Sequence, residues 1–352
     1  VCRLMNLDKS LQSRKLSGGQ KQRLITASTL AMGQKIVILD EPLANLDTAG
    51  AEMLMSTLKS LAKAGYCIVV IEHRLDVVLP FVDKVFHVGG KRVREIKDKE
   101  SYLKEQSVEI SDSCAVFCGG QPVFSLSDVA FSVKDRVILN GVAFDILKGS
   151  RTVLFGENGC GKTTLLRLIS RLEKPTRGVI LQNISGKFGQ KSKQSKKWYK
   201  KVGVVYQNPD YQLFMPTVEK EIKFGAKSDE YADEIADKFG VKHLYVRHPQ
   251  SLSEGQKRRV SIAAVVATAP EVLILDEPTV GQDYKGLCEM TEILNWIHEE
   301  TKNTMITVTH DKRCAAALCD RAVWIKDGKV RKTGGKELAE EFFKDPTGNA
   351  KN

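Results

Sequence analysis

The amino-acid sequence predicts an α/β fold that occurs twice along the chain, with the first copy incomplete. An apolar strand pattern at 151–155 leads through a glycine-rich turn into a helical pattern at 163–169, which is the strand–turn–helix unit of a parallel sheet. Short motifs near the start of the chain recur near its end in the same order. These two observations predict a tandem repeat of one α/β unit.

The composition is typical of a folded protein with about two domains, since 42% of the 352 residues are hydrophobic and 28% are charged. The apolar runs, such as 260–269 and 67–71, are shorter than the roughly 20 residues of a membrane-spanning helix, and no leader-like segment opens the sequence. We therefore expect a protein that does not itself cross a membrane. The eight cysteines are interpreted as reduced cytosolic thiols; zinc binding by Cys114 and Cys118 is the alternative, but no second cysteine pair or nearby histidine completes such a site.

The net charge of +11 favours an anionic partner, which is a nucleotide, a nucleic acid or an acidic lipid. Seven lysines lie in the fifteen residues 187–201, separated by glycine, serine and glutamine. We interpret this segment as a solvated loop, and contact with acidic lipid or nucleic acid remains the alternative.

Three motifs of the repeat keep a common register. LSGGQKQR at 16–23 matches LSEGQKRR at 252–259, and VILDEPLANLD at 37–47 matches LILDEPTVGQD at 273–283; both pairs are separated by 236 residues. The histidines of IEH and VTH, His73 and His310, are 237 residues apart. Since chance does not hold three motifs in register, the two copies are expected to share one fold.

The glycine-rich turn of the second copy has no counterpart upstream in the first. We therefore expect an N-terminally truncated tandem protein whose first copy lacks its front half. The predicted organisation is a partial first copy at 1–90, a polar linker at 91–121, a complete second copy at 122–332 and a tail at 333–352.

The glycine-rich turn fits the pattern G-x-x-x-x-G-K-T of a phosphate-binding loop, or P-loop. Its glycines allow backbone N–H groups to converge on phosphate oxygens, Lys162 can reach the β- and γ-phosphates, and Thr163 can ligate Mg²⁺. The predicted ATP-binding residues of this loop are Gly156, Glu157, Asn158, Gly159, Cys160, Gly161, Lys162, Thr163 and Thr164.

Two carboxylates follow the apolar strand pattern VLIL at 272–275. At the carboxyl edge of a parallel strand, Asp276 can approach the Mg²⁺ ion and Glu277 can act as general base on the attacking water. Gln207 is placed to sense the metal and the water, and His310 can hydrogen-bond a γ-phosphate oxygen. The metal ligands are thus predicted to be Thr163, Gln207 and Asp276, and the catalytic residues Glu277, His310 and Gln207.

A further motif precedes a helical pattern in each copy. In the second copy its residues are Ser253, Glu254, Gly255 and Gln256, and in the first Ser17, Gly18, Gly19 and Gln20. Ser-x-x-Gln is the pattern of a helix capping box, while a glycine-containing turn at a helix start can also hold a phosphate from a facing molecule. Both interpretations can hold together.

These motifs, in this order and spacing, resemble the nucleotide-binding domain of ATP-binding cassette (ABC) proteins. The resemblance implies a P-loop NTPase fold with a mixed sheet, an antiparallel β subdomain and a helical signature subdomain. It also implies head-to-tail pairing, in which the second-copy P-loop closes ATP against the Ser17–Gln20 turn of the first copy. The first-copy equivalents of the catalytic residues would be Asp40, Glu41 and His73, and the D-loop aspartates at the interface Asp47 and Asp283.

The stretch YQNPDYQLFMPTVEKEIKFG at 206–225 is similar to the Q-loop region of energy-coupling factor (ECF) ABC ATPases. That similarity implies an ATPase, using Mg²⁺ with ATP, that powers uptake of a vitamin, a vitamin precursor or a transition-metal ion. It would lie at the cytoplasmic face of the membrane, bind separate membrane subunits and make no contact with the transported substrate or nucleic acid. Residues that would transmit ATP closure to those subunits are Pro209, Asp210, Gln212 and Phe214.

Two other function classes are open to the sequence. One is a non-transport tandem ABC ATPase that acts on ribosomes or nucleic acid, and the other is a regulatory ATP-binding module without turnover. The sequence also departs from the family at two positions. Val133 stands where an adenine-stacking aromatic is usual, and Phe131 is expected to point to the other face. Cys160 inside the P-loop suggests an acidic, oxidisable thiol.

Overall fold

The chain divides into two compact units, residues 1–109 and 110–352. One copy of the predicted repeat falls in each unit. The computed structural model of the protein describes residues 18–43, 46, 48–106, 120–134, 136–184, 187–189, 196–282 and 284–344.

The described residues of the first unit form a parallel strand pair, an antiparallel hairpin and four helices. The parallel pair is β1 (Ile36–Asp40) with β2 (Cys67–Ile71), and the hairpin is β3 (Val85–Gly89) with β4 (Arg92–Ile96). The helices are α1 (Gly18–Ala31), α2 (Thr48–Lys63), α3 (Leu75–Val78) and α4 (Lys99–Gln106). Leu43, Leu54 and Met55 are fully buried in a core between α2 and one face of the parallel pair.

The other face of the parallel pair is apolar and exposed. Ile36 and Ile38 on β1 are 65% and 64% exposed, and Val69 and Ile71 on β2 are 45% and 53% exposed. Their counterparts in the second copy, at the repeat separations of 236 and 237 residues, are Val272, Ile274, Ile306 and Val308, which are fully buried. The same strand pattern therefore has both faces covered in one unit and one face covered in the other.

In the part of the second unit that the structure describes, the strands form two sheets. Its strands are β5 (Pro122–Val133), β6 (Arg136–Leu147), β7 (Arg151–Phe155), β8 (Arg177–Ile184), β9 (Lys187–Gly189), β10 (Val202–Val205), β11 (Val272–Asp276), β12 (Thr304–Val308), β13 (Arg321–Lys326) and β14 (Lys329–Gly334). Six form a sheet in the order β10-β11-β12-β7-β13-β14, which is parallel except for the β13–β14 pair, and four form an antiparallel sheet in the order β6-β5-β8-β9. This is the predicted mixed sheet with an antiparallel β subdomain.

The helices of the second unit lie on both sides of the six-stranded sheet. They are α5 (Lys162–Ile169), α6 (Lys196–Tyr199), α7 (Val218–Lys223), α8 (Asp229–Lys238), α9 (Glu254–Ala267), α10 (Tyr284–Thr301), α11 (Lys312–Leu318) and α12 (Lys336–Lys344). Leu165, Leu168 and Ile169 of α5 pack between the two sheets, while α7, α8 and α9 form the predicted helical subdomain on the other core cluster. The fully buried strands β7, β11 and β12 match their apolar sequence runs.

Two predicted boundaries are corrected by these elements. The expected linker at 91–121 contains β4 and α4, and Tyr102 of α4 is buried with its hydroxyl 2.6 Å from His87 Nδ1. The expected tail at 333–352 contains α12, whose Leu338, Ala339 and Phe342 are buried. Both segments are polar overall, and the packing of their few apolar residues depends on tertiary contacts that the sequence pattern does not show.

Helix α12 should therefore contribute to the stability of the second unit. Phe342 stacks on Phe155 with ring centroids 4.7 Å apart and packs edge-on against Trp324. We expect Phe342→Ala to lower the free energy of unfolding by about 3–5 kcal/mol, because it leaves a cavity under the central sheet. Denaturant unfolding should show a change of less than about 0.5 kcal/mol for the control Glu340→Ala, at an exposed site on the same helix. Equal effects of the two substitutions would contradict this packing role.

Candidate functional site

The P-loop connects β7 to α5 through a turn that only glycine can form at its two ends. Gly156 has φ 152° and a side chain there would lie 2.1 Å from the Ile325 carbonyl oxygen; Gly161 has φ 105° and a side chain would meet Leu139 at 2.6 Å. Between them, Glu157, Asn158 and Gly159 are exposed. The loop is therefore buried at both ends and exposed in its middle.

The side chain of Lys162 is hydrogen-bonded to the backbone of this loop. Its ammonium group donates hydrogen bonds to the carbonyl oxygens of Gly156 at 2.6 Å and Glu157 at 2.9 Å, and the side chain is buried. The structure thus places the cation inside the ring of backbone that a nucleotide phosphate would enter.

Asp276 lies at the end of β11 and shares a hydrogen bond with the Thr163 side chain. It is 5% exposed, and its Oδ1 atom has no hydrogen-bond partner among the described residues. Burial, followed by the charge of the neighbouring Glu277, raises the pKa of Asp276 to about 6. A buried carboxylate oxygen without a partner, beside a threonine hydroxyl, is a donor set that fits Mg²⁺.

Glu277 and His310 meet at the carboxyl ends of β11 and β12. His310 Nδ1 lies 2.8 Å from Glu277 Oε1, and the His310 backbone N–H donates to Oε2 at 3.3 Å. The Glu277 backbone has φ 54°, and its N–H donates to the Val308 carbonyl at 2.9 Å. The structure therefore brings the predicted base and the predicted histidine together.

Gln207 follows β10 and has an exposed side chain. Its backbone carbonyl accepts a hydrogen bond from Arg258, whose other terminal nitrogen donates to the Tyr206 carbonyl at 2.6 Å. The sequence reasoning did not single out Arg258. The available signal was a difference between the copies, because Gln22 stands at the corresponding position of the first.

The motif at the start of α9 forms the predicted capping box. The Ser253 side chain accepts from the Gln256 backbone N–H, and the Gln256 side chain accepts from the Ser253 backbone N–H. Gln282, just before the D-loop position, donates to the Gly255 carbonyl at 3.1 Å. The signature turn and the D-loop segment of this unit are thus joined by a side chain that the sequence analysis missed; Asp283 itself lies outside the described residues.

In the first unit, Asp40 is the last residue of β1 and Glu41 follows it. Glu41 repeats the backbone of Glu277, with φ 44° and an N–H that donates to the Ile71 carbonyl at 2.9 Å. His73 is partly buried beside Glu72, whose carboxylate accepts from the backbone N–H groups of His73 and Leu43. Gly18, Gly19 and Gln20 begin α1. Ser17 and Asp47 lie outside the described residues.

Both departures from the family pattern have a structural outcome. Val133 is 51% exposed at the end of β5, whereas Phe131 packs against the core. Residues two apart share a face on a regular strand, so the different environments of Phe131 and Val133 come from the irregularity between Phe131 and Ser132. The prediction of an acidic Cys160 is wrong. The thiol is buried against an apolar cluster, and this burial raises its pKa despite Lys162 Nζ at 3.9 Å.

With this geometry in place, comparison with known proteins defines the class. The chain matches the ABC transporter family over residues 3–44 and 139–280, and it belongs to that family. The protein named "Putative HMP/thiamine import ATP-binding protein YkoD", from Bacillus subtilis, is 32% identical over 89% of this chain and 64% of its own length. The chain thus spans somewhat less than two thirds of that relative.

Solved structures agree with the fold. The cassette cbiO1 of Clostridium perfringens, described as part of the ABC transporter complex cbiONQ, is 31% identical with a TM-score of 0.54 over 64% of this chain and 91% of its own. A model of ribosome-bound archaeal Pelota and ABCE1 gives a TM-score of 0.79 over 98% of this chain and 61% of that chain, at 20% identity. That second likeness concerns the fold alone.

The Glu277–His310 contact leads to a prediction for turnover. We expect Glu277→Gln to lower the rate of ATP hydrolysis by about 10²- to 10⁴-fold, because the amide keeps the shape of the carboxylate but cannot accept a proton. ATP binding, measured by equilibrium dialysis, should be retained. The control Glu300→Gln, at an exposed position on α10, should hydrolyse ATP like the unsubstituted chain. Hydrolysis by Glu277→Gln within about 3-fold of normal would contradict this role.

Proposed function

We propose that the chain is the ATP-binding and ATP-hydrolysing part of an ABC importer of ECF type. The observation that carries the proposal is the cluster of Asp276, Glu277 and His310 at the sheet edge, next to the P-loop. The cargo would be a vitamin, a vitamin precursor or a transition-metal ion, and it would pass through separate membrane subunits. The printed names of the Bacillus and Clostridium relatives, an importer ATPase and a transporter component, support this class.

Hydrolysis would proceed with Glu277 as general base. Its carboxylate, held by His310 Nδ1, would take a proton from the water that attacks the γ-phosphate. A neutral imidazole that donates through Nδ1 can only accept through Nε2, so His310 must carry both protons in order to donate to a phosphate oxygen as well. Thr163, Asp276 and Gln207 would hold Mg²⁺, which neutralises phosphate charge when bound.

The ATP site would be completed by the first copy. In our proposal the turn of Ser17, Gly18, Gly19 and Gln20 closes on ATP bound at Lys162, with Asp47 and Asp283 at the interface. A helix start with glycines offers backbone N–H groups and a favourable partial charge to the γ-phosphate. The chain would then carry every motif of one composite site and half of another.

Docking to a membrane subunit would use an exposed aromatic patch formed by Tyr211, Phe214 and Phe224. These side chains are 81%, 68% and 58% exposed, and the rings of Phe214 and Phe224 meet edge to face at 5.5 Å. Pro209, Asp210 and Gln212 lie in the same segment after Gln207. Exposed aromatic clusters of this kind are common at protein interfaces, and the protein would sit peripherally at the cytoplasmic face of the membrane. None of the helices in the described ranges has the length and apolar character needed to span a bilayer.

A ribosome-associated ABC ATPase is the second candidate. Its support is the fold likeness to the ribosome-bound archaeal structure over 98% of the chain, together with the net charge of +11. We rank it second, because the sequence identity of that likeness is 20% and the exposed patch after Gln207 is aromatic rather than basic.

The composite site is tested by two matched substitutions. Ser17→Arg should abolish ATP turnover by the chain, since an arginine at the signature turn would occupy the place of the γ-phosphate. Ser253→Arg tests the opposite pairing, in which the second units of two copies face each other. If that opposite pairing formed the site, ATP turnover measured by phosphate release would be lost with Ser253→Arg and kept with Ser17→Arg. This outcome would contradict the intramolecular site.

The transport role is tested by partner capture. We expect the chain, expressed with a C-terminal affinity tag in its native cell, to co-purify from detergent extracts with a hydrophobic membrane protein. Phe214→Asp should abolish this capture, because it places a charge in the aromatic patch, while the control Val246→Asp, at a residue 87% exposed outside the patch, should not. Co-sedimentation with ribosomes, unaffected by Phe214→Asp, would favour the second candidate instead.

A further inference from the structure

A buried arginine joins the signature helix to the Q-loop of the second unit. Arg258 lies on the second turn of α9 and is 2% exposed. Its two terminal nitrogens donate to consecutive backbone carbonyls, those of Tyr206 and Gln207. A planar guanidinium is suited to such a two-point contact, because both donors are fixed in one plane.

Two further contacts fasten the same segment to α9. Lys257 Nζ lies 2.9 Å from Asp210 Oδ1, with the lysine side chain 9% exposed. Gln212 donates to the Ser261 carbonyl at 3.4 Å and accepts from the Tyr206 N–H at 3.3 Å. Residues 206–212 therefore follow the helix for more than one turn, and the Arg258 contact is the most buried of the three.

Residues 206–212 lead directly to the exposed aromatic patch. The backbone N–H groups of Phe214 and Met215 both donate to the buried carboxylate of Glu221, at 2.9 and 2.7 Å. Gln207 stands at one end of this run and Phe214 at the other. A movement of α9 would thus reach Gln207 through the Arg258 hydrogen bonds, and it would reach the residues before Phe214 through the side chains of Asp210 and Gln212. The Glu221 contacts join the patch itself to α7.

The two copies differ at this position. Arg259 of the second copy matches Arg23 of the first, but Arg258 matches Gln22. A glutamine carries no charge and offers a single amide group in place of the five N–H donors of a guanidinium. The guanidinium at this position is therefore particular to the second copy.

We propose that Arg258 is a positioning residue that makes the signature helix and the Q-loop of the second unit move together. It acts through Gln207 and makes no contact with nucleotide. In this way, closure of the signature turn would shift Gln207 and the aromatic patch in one step. The link to a docked partner rests on the proposed transport function, whereas the mechanical link within the unit does not.

Hydrogen exchange on the full chain tests the mechanical link. In Arg258→Gln, which installs the first-copy residue, we expect backbone amides of 206–215 to exchange about 10-fold faster or more, because hydrogen bonds from a charged group are lost. Arg258→Lys should give an intermediate rate, since an ammonium can reach one carbonyl. Lys285→Gln, at an exposed lysine on α10, should exchange like the unsubstituted chain.

The kinetics of ATP hydrolysis give a second measurement, which a purely structural role of Arg258 would leave unchanged. Arg258→Gln should lower kcat for ATP hydrolysis about 10-fold and leave KM within about 2-fold, because the P-loop is untouched while Gln207 is no longer held. Unchanged exchange at 206–215 in Arg258→Gln would overturn the proposal. Faster amide exchange spread equally over α8, α10 and the core strands would indicate a general packing defect, and it would also overturn the proposal. Lack of turnover in the unsubstituted chain would count against the proposed function, while the exchange result would still decide the role of Arg258.

Discussion

Two adjacent carboxylates at the end of a buried strand constrain the whole second unit. Asp276 and Glu277 are 5% and 6% exposed, and two charges so close together in a medium of low dielectric repel each other strongly. The two carboxylates have different hydrogen-bond partners. Glu277 is held by His310, whereas Asp276 bonds to Thr163 and keeps one oxygen without a described protein partner. This arrangement of the sheet edge fits the cation and the nucleotide that we propose it binds.

The two copies show how much of this chemistry depends on what surrounds the motif. Glu41 and Glu277 have the same backbone, with positive φ and an N–H bonded to the neighbouring strand. Asp40 and Glu41 are nevertheless exposed, because β1 pairs with β2 alone among the described residues. The motif sets the local geometry, and the strands and helices around it set the burial and hence the electrostatics.

Much of the site was predictable because its signals are local in the sequence. The P-loop glycines, the carboxylates after β11 and the Ser253 capping box each follow from spacing within one turn or one strand end. The register of the repeat added His310, which lies far from them in sequence. What could not be predicted depends on tertiary packing: the Arg258 contact, the burial that makes Cys160 a weak acid, and the bulge that separates Phe131 from Val133. The hairpin β3–β4 and helix α12 were missed for the same reason.

We propose that the first copy supplies the signature turn for ATP bound at Lys162 of the same chain. The most direct test is the rate of ATP hydrolysis per molecule, measured over a 100-fold range of protein concentration. Because an intramolecular site has all its parts on one chain, the rate per molecule should not change with concentration. A rate per molecule that rises in proportion to concentration would show that a second molecule supplies the signature turn, and it would contradict the intramolecular site.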